Sequence, residues 1–592
     1  MTGSASTEPE AGAVPRELRD APTLWALLAR RAALSPDTPA LIQAGDTPAD
    51  DRTVTFGELK ARAERTAAGL HRLGVRPGSS FVWQLPTRIE TVVLSLALAR
   101  LGAVQSPVMP MYRERELGFA VRETRADFLA TPGREWRGYD YAALAERVAA
   151  AVVAETAVAG TAATETETET ETAAETAAAE TRTAEPSAAR APDARNPTAP
   201  HTRPRVIAAY DNLPEPGQAP DPATGTGTAE PLPPPPTDGT EVRWIYWTSG
   251  TTSDPKGVRH TDRSLIAGGA CLALALRLRA DDIGSIAFPY AHIGGPDYLV
   301  MLLLSGIPAV LFEQFALPAA LDAYRRNGVT VAGGSTAFYS MFLAEQRKQP
   351  DTRLIPTLRL LAGGGAPKPP ELFHEVRREM GCLLTHGYGM TEAPMITMGA
   401  PDDTPENLAT TEGRPPAAME IRVTDADGKP LPAGHDGEVR LRGEAVCQGY
   451  LDAAQSAAAF DADGFLITGD LGHLTESGHL VLTGRVKDII IRKGENISAK
   501  EVEQLLYEHP AVGDVAVVGL PDPVRGELVC AVVEQPAGAA PLTLRDVTSY
   551  LSAQGLAVHK LPERLEVVDA LPRNETLRKV LKYQLRERFT DA

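Results

Sequence analysis

The chain has 592 residues, a formal net charge of -18 and 43% hydrophobic residues. Its length exceeds that of a single core, so several globular domains are expected, and the negative charge argues against nucleic-acid binding as the main function. The four cysteines (Cys271, Cys382, Cys447 and Cys530) are far apart and form neither a zinc pattern nor a disulfide framework, which fits a reducing cytoplasm.

The sequence offers no segment suited to enter or cross a membrane. Residues 1–20 lack the apolar core of a secretory signal and are expected to be disordered. The longest apolar run, Tyr298–Phe312, is too short to span a bilayer and is interrupted by Gly306 and Pro308. The run therefore predicts a buried helix, a turn and a buried strand, and we expect a cytoplasmic location without a transmembrane segment.

The N-terminal part alternates strands with helices. Residues 53–75 (TVTFGELKARAERTAAGLHRLGV) predict a short strand and a helix that ends at Gly74. Residues 79–86 (SSFVWQLP) predict a buried strand, and residues 88–104 (RIETVVLSLALARLGAV) predict a mostly buried helix that ends at Gly102. This alternation is typical of an α/β fold with a parallel sheet, and we assign it to an N-terminal domain over residues 21–485.

The composition changes near residue 150. Alanine, threonine and glutamate dominate as far as residue 200, and residues 164–172 read TETETETET. Few apolar groups are present to offset the entropy of ordering, so about 150–240 is predicted to be a low-complexity disordered insertion. A strand at residues 205–211 (RVIAAYD) interrupts it, and the proline-rich residues 231–239 (PLPPPPTDG) close it as a stiff extended spacer.

A loop rich in glycine and hydroxyl side chains follows the insertion. Residues 246–261 read YWTSGTTSDPKGVRHT. Small residues let backbone N–H groups face an anion, and hydroxyls and a lysine add donors, so a phosphate is a candidate ligand. The spacing differs from the G-x-x-x-x-G-K-[ST] loop, because Gly250 is followed by Lys256 and then Gly257. A plain turn is the alternative, since Ser-Asp-Pro is itself a turn signal.

The sequence after Arg485 predicts a different order of strands and helices. Residues 486–522 (VKDIIIRKGENISAKEVEQLLYEHPAVGDVAVVGLPD) predict a strand, a turn, an amphipathic helix and another strand. Residues 486–592 are therefore predicted to form a small α+β domain, whose length is usual for a domain.

Seven motifs together resemble the adenylate-forming (AMP-binding) superfamily, which includes acyl-CoA synthetases, carrier-protein adenylation domains and luciferases. In chain order they are TVTFGELK, YWTSGTTSDPKGVRHT, AGGGAP, HGYGMTEAP, FLITGDLGHL, GRVKDIIIRKGENISAKEVE and LPRNETLRKVLKYQLRE. The resemblance covers nearly the whole chain outside the insertion. It implies a large N-terminal domain of parallel-sheet α/β subdomains with a small β-barrel-like part, followed by a small mobile α+β C-terminal domain.

The resemblance assigns nucleotide-binding roles. The glycine- and hydroxyl-rich loop is similar to the family's phosphate loop, and the matching residues are Thr248, Ser249, Gly250, Thr251, Thr252 and Lys256. Ser253 stands where the family usually has glycine. The residues implied near adenine and ribose are Gly364, Gly365, Ala366, Asp470 and Arg485, and Tyr388 is implied to lie against the adenine or the acyl group. An ionised carboxylate accepts only, so Asp470 suits the two ribose hydroxyls.

Further motif residues are implied to act on the metal, the phosphate and the acid. Glu392 is similar to the family's Mg²⁺ carboxylate, with Thr248 as a second metal contact, and Thr391 is similar to a contact of the α-phosphate. Attack of a carboxylate on a phosphate brings two anions together, so cations and donors must neutralise the charge. Out of context, Thr-Glu is more often a helix cap.

The acid-binding residues are less specific. A single histidine beside apolar residues, such as His292, is equally often a core residue, but the family often places histidine or an aromatic residue here, at the acyl tunnel. The residues expected to contact the acid are His292, Gly387 and Gly389.

The C-terminal domain of the superfamily rotates between two steps of catalysis. The resemblance places the hinge at Lys487. It places Lys493, Gly494 and Glu495 near the tunnel for the pantetheine of CoA, whereas an exposed turn is the alternative interpretation of these residues.

The last motif departs from the family pattern because its glycine is absent. Counting back from Leu585 and Arg586 places the catalytic lysine at Lys579, whereas counting forward from Pro572 places Arg578 there. Lys579 is preferred because a compact ammonium suits a tight phosphate site and arginine does not replace it.

These assignments predict an ATP-dependent acyl-CoA synthetase that uses ATP, Mg²⁺ and CoA. The carboxylic acid is expected to be fatty, alicyclic or aromatic, because residues 292–312 and 331–342 are apolar. One alternative is a stand-alone adenylation enzyme that loads a free acyl carrier protein. Another is a degenerate nucleotide-binding regulatory protein, which Ser253 and the irregular last motif would explain.

Overall fold

A large N-terminal part and a small C-terminal part meet at Arg485 in the computed structural model. The structure describes residues 14–134, 136–154, 202–209, 231–248, 255–366, 368–416, 418–493, 495–574 and 578–590. The Ala/Thr/Glu-rich residues 155–200, and the interpretation that they are disordered, therefore lie outside the described residues.

The strands of the N-terminal part are β1 (Pro39–Gln43), β2 (Arg52–Thr55), β3 (Ser80–Trp83), β4 (Val104–Pro107), β5 (Phe128–Thr131), β6 (Arg205–Ala208), β7 (Val242–Thr248), β8 (Lys256–Thr261), β9 (Gly284–Ile286), β10 (Ala309–Leu311), β11 (Val331–Gly334), β12 (Leu360–Gly364), β13 (Leu383–Met390), β14 (Ala393–Met398), β15 (Met419–Thr424), β16 (Gly437–Gly443), β17 (Leu466–Leu474) and β18 (Leu480–Arg485). The C-terminal strands are β19 (Ile489–Arg492), β20 (Glu495–Ser498), β21 (Asp514–Asp522), β22 (Gly526–Glu534) and β23 (Arg564–Val568).

The helices are α1 (Arg16–Arg19), α2 (Leu24–Leu34), α3 (Phe56–Arg72), α4 (Ile89–Leu101), α5 (Glu114–Glu123), α6 (Asp262–Ala275), α7 (Gly294–Ser305), α8 (Leu317–Arg326), α9 (Thr336–Arg347), α10 (Pro370–Glu375), α11 (Pro405–Thr410), α12 (Ala453–Ala459), α13 (Ala499–Tyr507), α14 (Leu544–Ala553) and α15 (Lys582–Thr590). Residues 141–154 are also helical.

Four sheets build the N-terminal part. The six-stranded sheet has the order β6-β5-β3-β4-β7-β8 and is parallel except for the β7–β8 pair. Two four-stranded sheets, β2-β1-β10-β9 and β11-β12-β13-β14, are each parallel except at one edge. The fourth, β15-β16-β17-β18, is antiparallel and is the small β part that precedes the C-terminal domain. The predicted α/β fold class is confirmed.

Local chemistry explains why several predicted elements form. The Thr55 hydroxyl accepts from the backbone N–H of Glu58, and the Glu58 carboxylate accepts from that of Thr55, so a capping box starts α3. Helix α4 ends at Gly102, whose φ of 71° is left-handed. The apolar run Tyr298–Phe312 forms the buried end of α7, a turn at Gly306 and the buried strand β10, as predicted.

The ends of two predicted disordered regions are packed. Residues 14–20 include α1, and Val14 and Leu18 are buried in the core, so the disorder predicted for residues 1–20 is wrong for this stretch. The proline-rich segment after residue 230 is also fixed, because Arg100 donates to the carbonyl of Pro233 at 2.8 Å. Its apolar and backbone groups contact partners distant in sequence, which composition does not reveal. The strand predicted at 205–211 forms as β6.

The C-terminal part is a five-stranded sheet covered on both faces. Its strand order is β20-β19-β22-β21, and β23 pairs in parallel with β22. Alternate residues of β21 face opposite sides: Val515 and Val517 pack with α13 and α14, whereas Ala516 and Val518 pack with α15. Strands β19 and β20 pair antiparallel as a hairpin, from Ile489 with Ser498 to Arg492 with Glu495.

Within the described ranges, no helix is both long enough and apolar enough to cross a bilayer.

Candidate active site

A large cleft lies between the two parts of the molecule. Its volume is about 1790 Å³, and residues from both the N-terminal and C-terminal parts line it. It exceeds the ~300–1,000 Å³ of usual small-molecule pockets, so it has room for more than one substrate. The predicted site residues that line it are Gly365, Ala366, Gly387, Tyr388, Gly389, Asp470, Arg485, Lys487 and Lys579.

A buried carboxylate marks one end of the cleft. Asp470 on β17 and Arg485 on β18 are cross-strand partners, and the Arg485 Nε lies 2.7 Å from the Asp470 carboxylate. The Tyr388 hydroxyl on β13 donates to the other carboxylate oxygen. Burial and the nearby Asp470 charge raise the pKa of the Tyr388 phenol well above its usual value, so this hydroxyl stays protonated. Each carboxylate oxygen retains acceptor capacity for a ligand.

Glycines bring the backbones of β12 and β13 together at the floor of the cleft. A Cβ on Gly364 would lie 2.3 Å from the carbonyl oxygen of Gly387, and one on Gly389 would lie 2.1 Å from that of Pro394. Gly365 has a φ of 85°, a left-handed conformation that favours glycine. The requirement for glycine in these motifs is therefore one of close backbone approach.

A second group of side chains surrounds the turn between β13 and β14. Glu392 lies in this turn, and its carboxylate accepts from the Tyr450 hydroxyl at 2.8 Å. The Lys256 ammonium lies over the Tyr450 ring, 5.1 Å from its centroid. The Thr391 carbonyl is 2.7 Å from Nε2 of buried His260, and burial lowers the pKa of His260 to about 4, so its ring is neutral. Glu392 and Lys256 are thus brought together through Tyr450.

The hairpin that carries the predicted phosphate loop is only partly described. Thr248 at the end of β7 and Lys256 at the start of β8 are register partners, so they flank the loop. The predicted residues Ser249, Gly250, Thr251 and Thr252, together with Ser253, lie outside the described residues.

Lys579 enters the cleft from the C-terminal part. Its backbone N–H donates to the Asn574 side chain at 3.0 Å, and its carbonyl accepts from the Asn574 N–H at 2.9 Å. Arg573 and Val580 pair as an isolated bridge beside it. The neighbouring Arg578 is exposed and has a φ of 58°. Of the two candidates for the catalytic position, Lys579 is the one that lies half-buried among the motif residues.

The electrostatic surroundings of Lys579 show where its ammonium lies. Burial and the neighbouring Arg485 guanidinium lower the pKa of Lys579 to about 8. The carboxylates of Asp470 and Glu392 act in the opposite direction. Lys579 also contributes, after burial, to lowering the pKa of His292 to about 4. The ammonium therefore interacts electrostatically with the Asp470 network, the Glu392 carboxylate and His292.

A second part of the cleft wall, called its apolar end below, is rich in apolar side chains, although the charged Arg113, Arg137 and Glu313 also line the cleft. Phe288, Phe315, Phe338 and Met341 line it. Phe315 and Phe338 meet edge to face, with ring centroids 4.9 Å apart. His292 lies close behind this wall, since a Cβ on Gly294 would approach both His292 and Phe288. Its Nδ1 accepts from the Gly294 backbone at 3.2 Å, so His292 is a neutral, partnered side chain at the edge of this surface.

The predicted hinge and tunnel residues lie in different surroundings. Lys487 belongs to a short 3₁₀ helix, Val486–Asp488, that joins β18 to β19, and it lines the cleft. Lys493 is exposed at the tip of the β19–β20 hairpin with a φ of 52°. Gly494 lies outside the described residues, and Glu495 pairs with Arg492 across the hairpin. The base of the hairpin, at Ile489 and Ser498, lines the cleft, whereas Lys493 and Glu495 at its tip do not.

Two residues that contact predicted site residues, Tyr450 and His260, were not predicted from the sequence. Tyr450 reaches Glu392 because the segment around Gly449 pairs with β8: the Arg259 N–H donates to the Gly449 carbonyl at 2.9 Å. The nearest signal was the glycine-containing stretch GEAVCQGYL, which gives no indication of that partner. His260 follows the phosphate loop directly, but its contact with Thr391 spans 131 positions.

Comparison with known proteins gives the family. The family described as AMP-binding enzyme matches residues 28–451, and the AMP-binding enzyme C-terminal domain matches residues 501–577. The chain is 32% identical over 556 residues to a salicyl-AMP ligase / salicyl-S-ArCP synthetase of Mycobacterium tuberculosis, covering 93% of this chain and 88% of that protein.

It is 30% identical over 537 residues to a medium-chain fatty-acid–CoA ligase of Escherichia coli, covering 90% of this chain and 85% of that protein. The solved structure of ATP-bound MatB from Rhodopseudomonas palustris is similar, with a TM-score of 0.75 and 26% identity over 95% of this chain and 99% of that chain.

The chain therefore belongs to the family of AMP-binding enzymes, the adenylate-forming superfamily that its motifs resemble. Within this family it is an AMP-forming acid–thiol ligase.

Proposed function

We propose that the protein is an ATP-dependent acyl-CoA synthetase for an apolar carboxylic acid. The observation that carries the proposal is the position of Lys579, which lines the same cleft as the Asp470 network and the apolar side chains Phe315, Phe338 and Met341. Nucleotide and acid would meet at this lysine. The acid carboxylate attacks the α-phosphate, pyrophosphate leaves, and a thiol then displaces AMP from the acyl carbon.

Three features of the cleft fit an adenine nucleotide. The buried carboxylate of Asp470 suits two ribose hydroxyls, and the glycine floor leaves the backbone open to a flat ring. His386 Nε2 lies 3.0 Å from the Ala366 carbonyl, to which it donates. Its Nδ1, buried and without a partner among the described residues, is then an acceptor suited to the amino group of adenine.

The metal assignment rests on Glu392. The described ranges contain no group of three or more His, Cys, Asp or Glu side chains that could hold a metal ion. A single carboxylate fits Mg²⁺, which usually keeps waters and takes its other ligands from substrate phosphates. Mg²⁺ held by Glu392, with Thr248 at the neighbouring hairpin end, would neutralise phosphate charge. The Tyr450 hydroxyl orients the Glu392 carboxylate for that role.

In the first step, the residues of the chain position two anions and offset their repulsion. Arg485 and Lys579 supply positive charge at the junction of nucleotide and acid, and Thr391 contacts the α-phosphate. Lys256 and the loop it follows hold the departing phosphates. Because Arg485, Thr391 and Lys579 are held by the fold before reaction, they stabilise the charge that develops in the transition state without reorganising.

In the second step, CoA thiolate attacks the carbonyl carbon of the acyl-adenylate. The C–S bond forms, the C–O bond to AMP breaks, and AMP leaves with that oxygen. Lys579 has no role in this step, so the C-terminal part is free to present another surface. The exposed β19–β20 hairpin with Lys493, Gly494 and Glu495 is the surface we assign to the pantetheine arm, and Lys487 lies in the connection about which the domain turns.

The acid is fatty, alicyclic or aromatic. The wall of phenylalanines and Met341 offers burial to an apolar chain or ring. His292 behind this wall is neutral, and Glu313, which lines the cleft, is paired with Arg88. A relative named for medium-chain fatty acids and one named for salicylate agree with this class.

A free carrier protein is a second candidate acceptor. The Mycobacterium tuberculosis relative is named as a salicyl-S-ArCP synthetase as well as an AMP ligase. Such an acceptor would present the same pantetheine thiol as CoA, so the chemistry at the cleft is unchanged.

The test is pyrophosphate release by the full chain with MgATP across fatty, alicyclic and aromatic acids. Responding acids are then supplied with CoA or with carrier proteins bearing pantetheine. We expect acid-dependent pyrophosphate release and a CoA thioester. Thioester only on a carrier would favour the second candidate, and ATP binding without pyrophosphate release from any acid would favour a degenerate nucleotide-binding protein.

A further inference from the structure

A lysine of the C-terminal part is inserted into the N-terminal part beside the connection between them. Lys500 is the second residue of α13, and its ammonium donates to the Leu482 carbonyl on β18 at 2.5 Å. The same nitrogen lies 3.7 Å from the carboxylate of Glu412. The two side chains are only 12% and 11% exposed, so the ion pair is largely removed from water.

This position is unfavourable for a lysine considered without its partners. The first turn of a helix carries partial positive charge, which disfavours a cation. Burial of an ammonium is also costly unless it is paired and hydrogen-bonded. Both partners of Lys500, Glu412 and the Leu482 carbonyl, belong to the N-terminal part. The site of Lys500 is therefore favourable only while the two parts are in the described orientation.

Glu412, in contrast, keeps partners of its own. The Leu482 backbone N–H donates to its carboxylate at 3.0 Å. Lys368, also in the N-terminal part, interacts electrostatically with the Glu412 carboxylate, and its ammonium donates to the Ala409 carbonyl. If α13 moves away from the N-terminal part, water hydrates the Lys500 ammonium. The Glu412 carboxylate then still has the Lys368 ammonium and the Leu482 N–H as partners. The contact can therefore break without leaving an isolated buried charge on either side.

A second bond lies beside the first. The Ser498 hydroxyl caps α13, accepting from the Glu501 N–H at 3.3 Å, and it donates to the Thr483 carbonyl at 2.7 Å. Leu482 and Thr483 are in the last residues of β18, immediately before Arg485 and the connection to the C-terminal part. Both bonds thus join the start of α13 to the strand from which that part departs.

We infer that Lys500 is a positioning residue that holds the C-terminal part in the orientation where Lys579 reaches the cleft. Its contact with Glu412 favours the acid-activating step over the thioester-forming step. The inference rests on the proposed two-step function, and it assigns no contact between Lys500 and a substrate.

The test measures the two steps separately in the full-length Lys500→Met variant. Pyrophosphate release in single turnover reports the first step, and CoA thioester formed from supplied acyl-adenylate reports the second. We expect the first step to slow about fivefold to tenfold, the lower range of coupling between sites in proteins, and the second step to be unchanged or faster. Lys500→Arg should restore most of the first-step rate.

A matched control is Lys560→Met. Lys560 pairs with Glu501 of the same helix at 2.7 Å, but both residues belong to the C-terminal part. This variant removes an equal charge without touching Glu412, so both steps should keep the wild-type rate. Glu412→Gln should cause a smaller loss in the Lys500→Met background than in the wild type, because the interaction with Lys500 is then already absent and only that with Lys368 is removed.

Hydrogen exchange provides a readout that needs no substrate. Lys500→Met should speed amide exchange in residues 482–490, whereas Lys560→Met should not. Equal slowing of both steps by Lys500→Met, or wild-type rates together with unchanged exchange, would overturn the inference. A wild-type protein without pyrophosphate release from any acid would instead refute the proposed function, and the exchange comparison would still test the contact.

Discussion

The two ends of the cleft are built by different forces. The Asp470 end is polar, and its side chains are fixed by hydrogen bonds and an ion pair between strands. The Phe338 end is apolar, and its side chains are fixed by packing between rings. Directional bonds accept one arrangement of donors and acceptors, whereas packed apolar surfaces tolerate changes of shape when volume is conserved.

This difference separates the residues needed for activity with every acid from those that determine which acid is preferred. The polar end suits the invariant part of the reaction, a nucleotide, and substitution there should reduce activity with every acid. The apolar end suits the variable part, the acid, and substitution there should change which acid is preferred. Lys579 stands between the two ends, so its loss should affect every acid but only one of the two steps.

The largest effect is expected for Lys579→Ala. Loss of a donor that acts on the developing charge costs ~10²–10³ in rate. We expect that loss with acid, ATP and CoA, and near-normal thioester formation when acyl-adenylate and CoA are supplied.

Arg578→Ala and Lys582→Ala are the controls for Lys579. Arg578 is exposed, and Lys582 pairs with Glu503 at 2.7 Å in the C-terminal part. Full activity of Lys579→Ala, with a large loss in either control, would reassign the catalytic position. Equal loss of both steps would indicate damage to the fold.

The next effect is expected for Asp470→Asn, which preserves shape and removes charge. Charge-assisted hydrogen bonds contribute ~1.5–3 kcal/mol, so the KM for ATP should rise by about one to two orders of magnitude with little change between acids. Asp463→Asn is a suitable control, because Asp463 forms an exposed ion pair with Arg422 in the same antiparallel sheet. Unchanged ATP kinetics in Asp470→Asn would remove this residue from the site.

The pH dependence of the first step should follow Lys579. Its pKa of about 8 means that the ammonium is lost as pH rises through this value. The kcat/KM for ATP, which reports the free enzyme, should therefore fall about tenfold per unit well above pH 8. Thioester formation from supplied acyl-adenylate should show no such decrease above pH 8. A first-step profile flat to pH 10 would contradict the assignment.

A smaller effect is expected at the apolar end. Met341 lines the cleft and is half-buried, so Met341→Ala should enlarge the space for the acid with little loss of stability. The ratio of kcat/KM for a longer acid to that for a shorter one should rise about tenfold, within the range for methylene-sized changes in apolar pockets. Met341→Leu conserves volume and should leave the ratio close to wild type. A uniform loss with all acids would contradict the proposed division between the ends.

The smallest effect is expected on the stability of the fold, through Asp297 on α7. Burial raises the pKa of the Asp297 carboxyl to about 8, and one of its oxygens lacks a hydrogen-bond partner among the described residues. Between about pH 4 and 8 the folded chain holds a proton that the unfolded chain has lost, so this group lowers stability as pH rises.

Asp297→Asn removes that titration. Its melting temperature relative to wild type should therefore increase from pH 5 to pH 8. A difference between the two proteins that is independent of pH would show that Asp297 is ionised in the folded state.

Local signals allowed much of the fold to be predicted. The capping box at Thr55, the glycine stop at Gly102 and the apolar run ending at Phe312 each depend on residues close in sequence. The packing of Pro233 against Arg100 could not be predicted, because it depends on a partner 133 positions away.

For the candidate site too, local sequence signals predicted individual residues but not the contacts between distant ones. Asp470 and Arg485 were identified from short motifs, but their direct pairing comes from the register of β17 and β18. Counting residues left Lys579 and Arg578 as alternatives, and only their surroundings in the fold separate them: Lys579 lines the cleft half-buried, whereas Arg578 is exposed. Tyr450 carries no motif of its own, so its contact with Glu392 required the fold.

The most direct test of the two-step account follows an oxygen atom. A responding acid with both carboxylate oxygens labelled as ¹⁸O is converted with MgATP and CoA, and the products are analysed by mass spectrometry. Attack on the α-phosphate followed by C–O cleavage predicts one ¹⁸O in AMP and one in the thioester carbonyl. Label in inorganic phosphate together with ADP, or AMP free of label, would contradict the account.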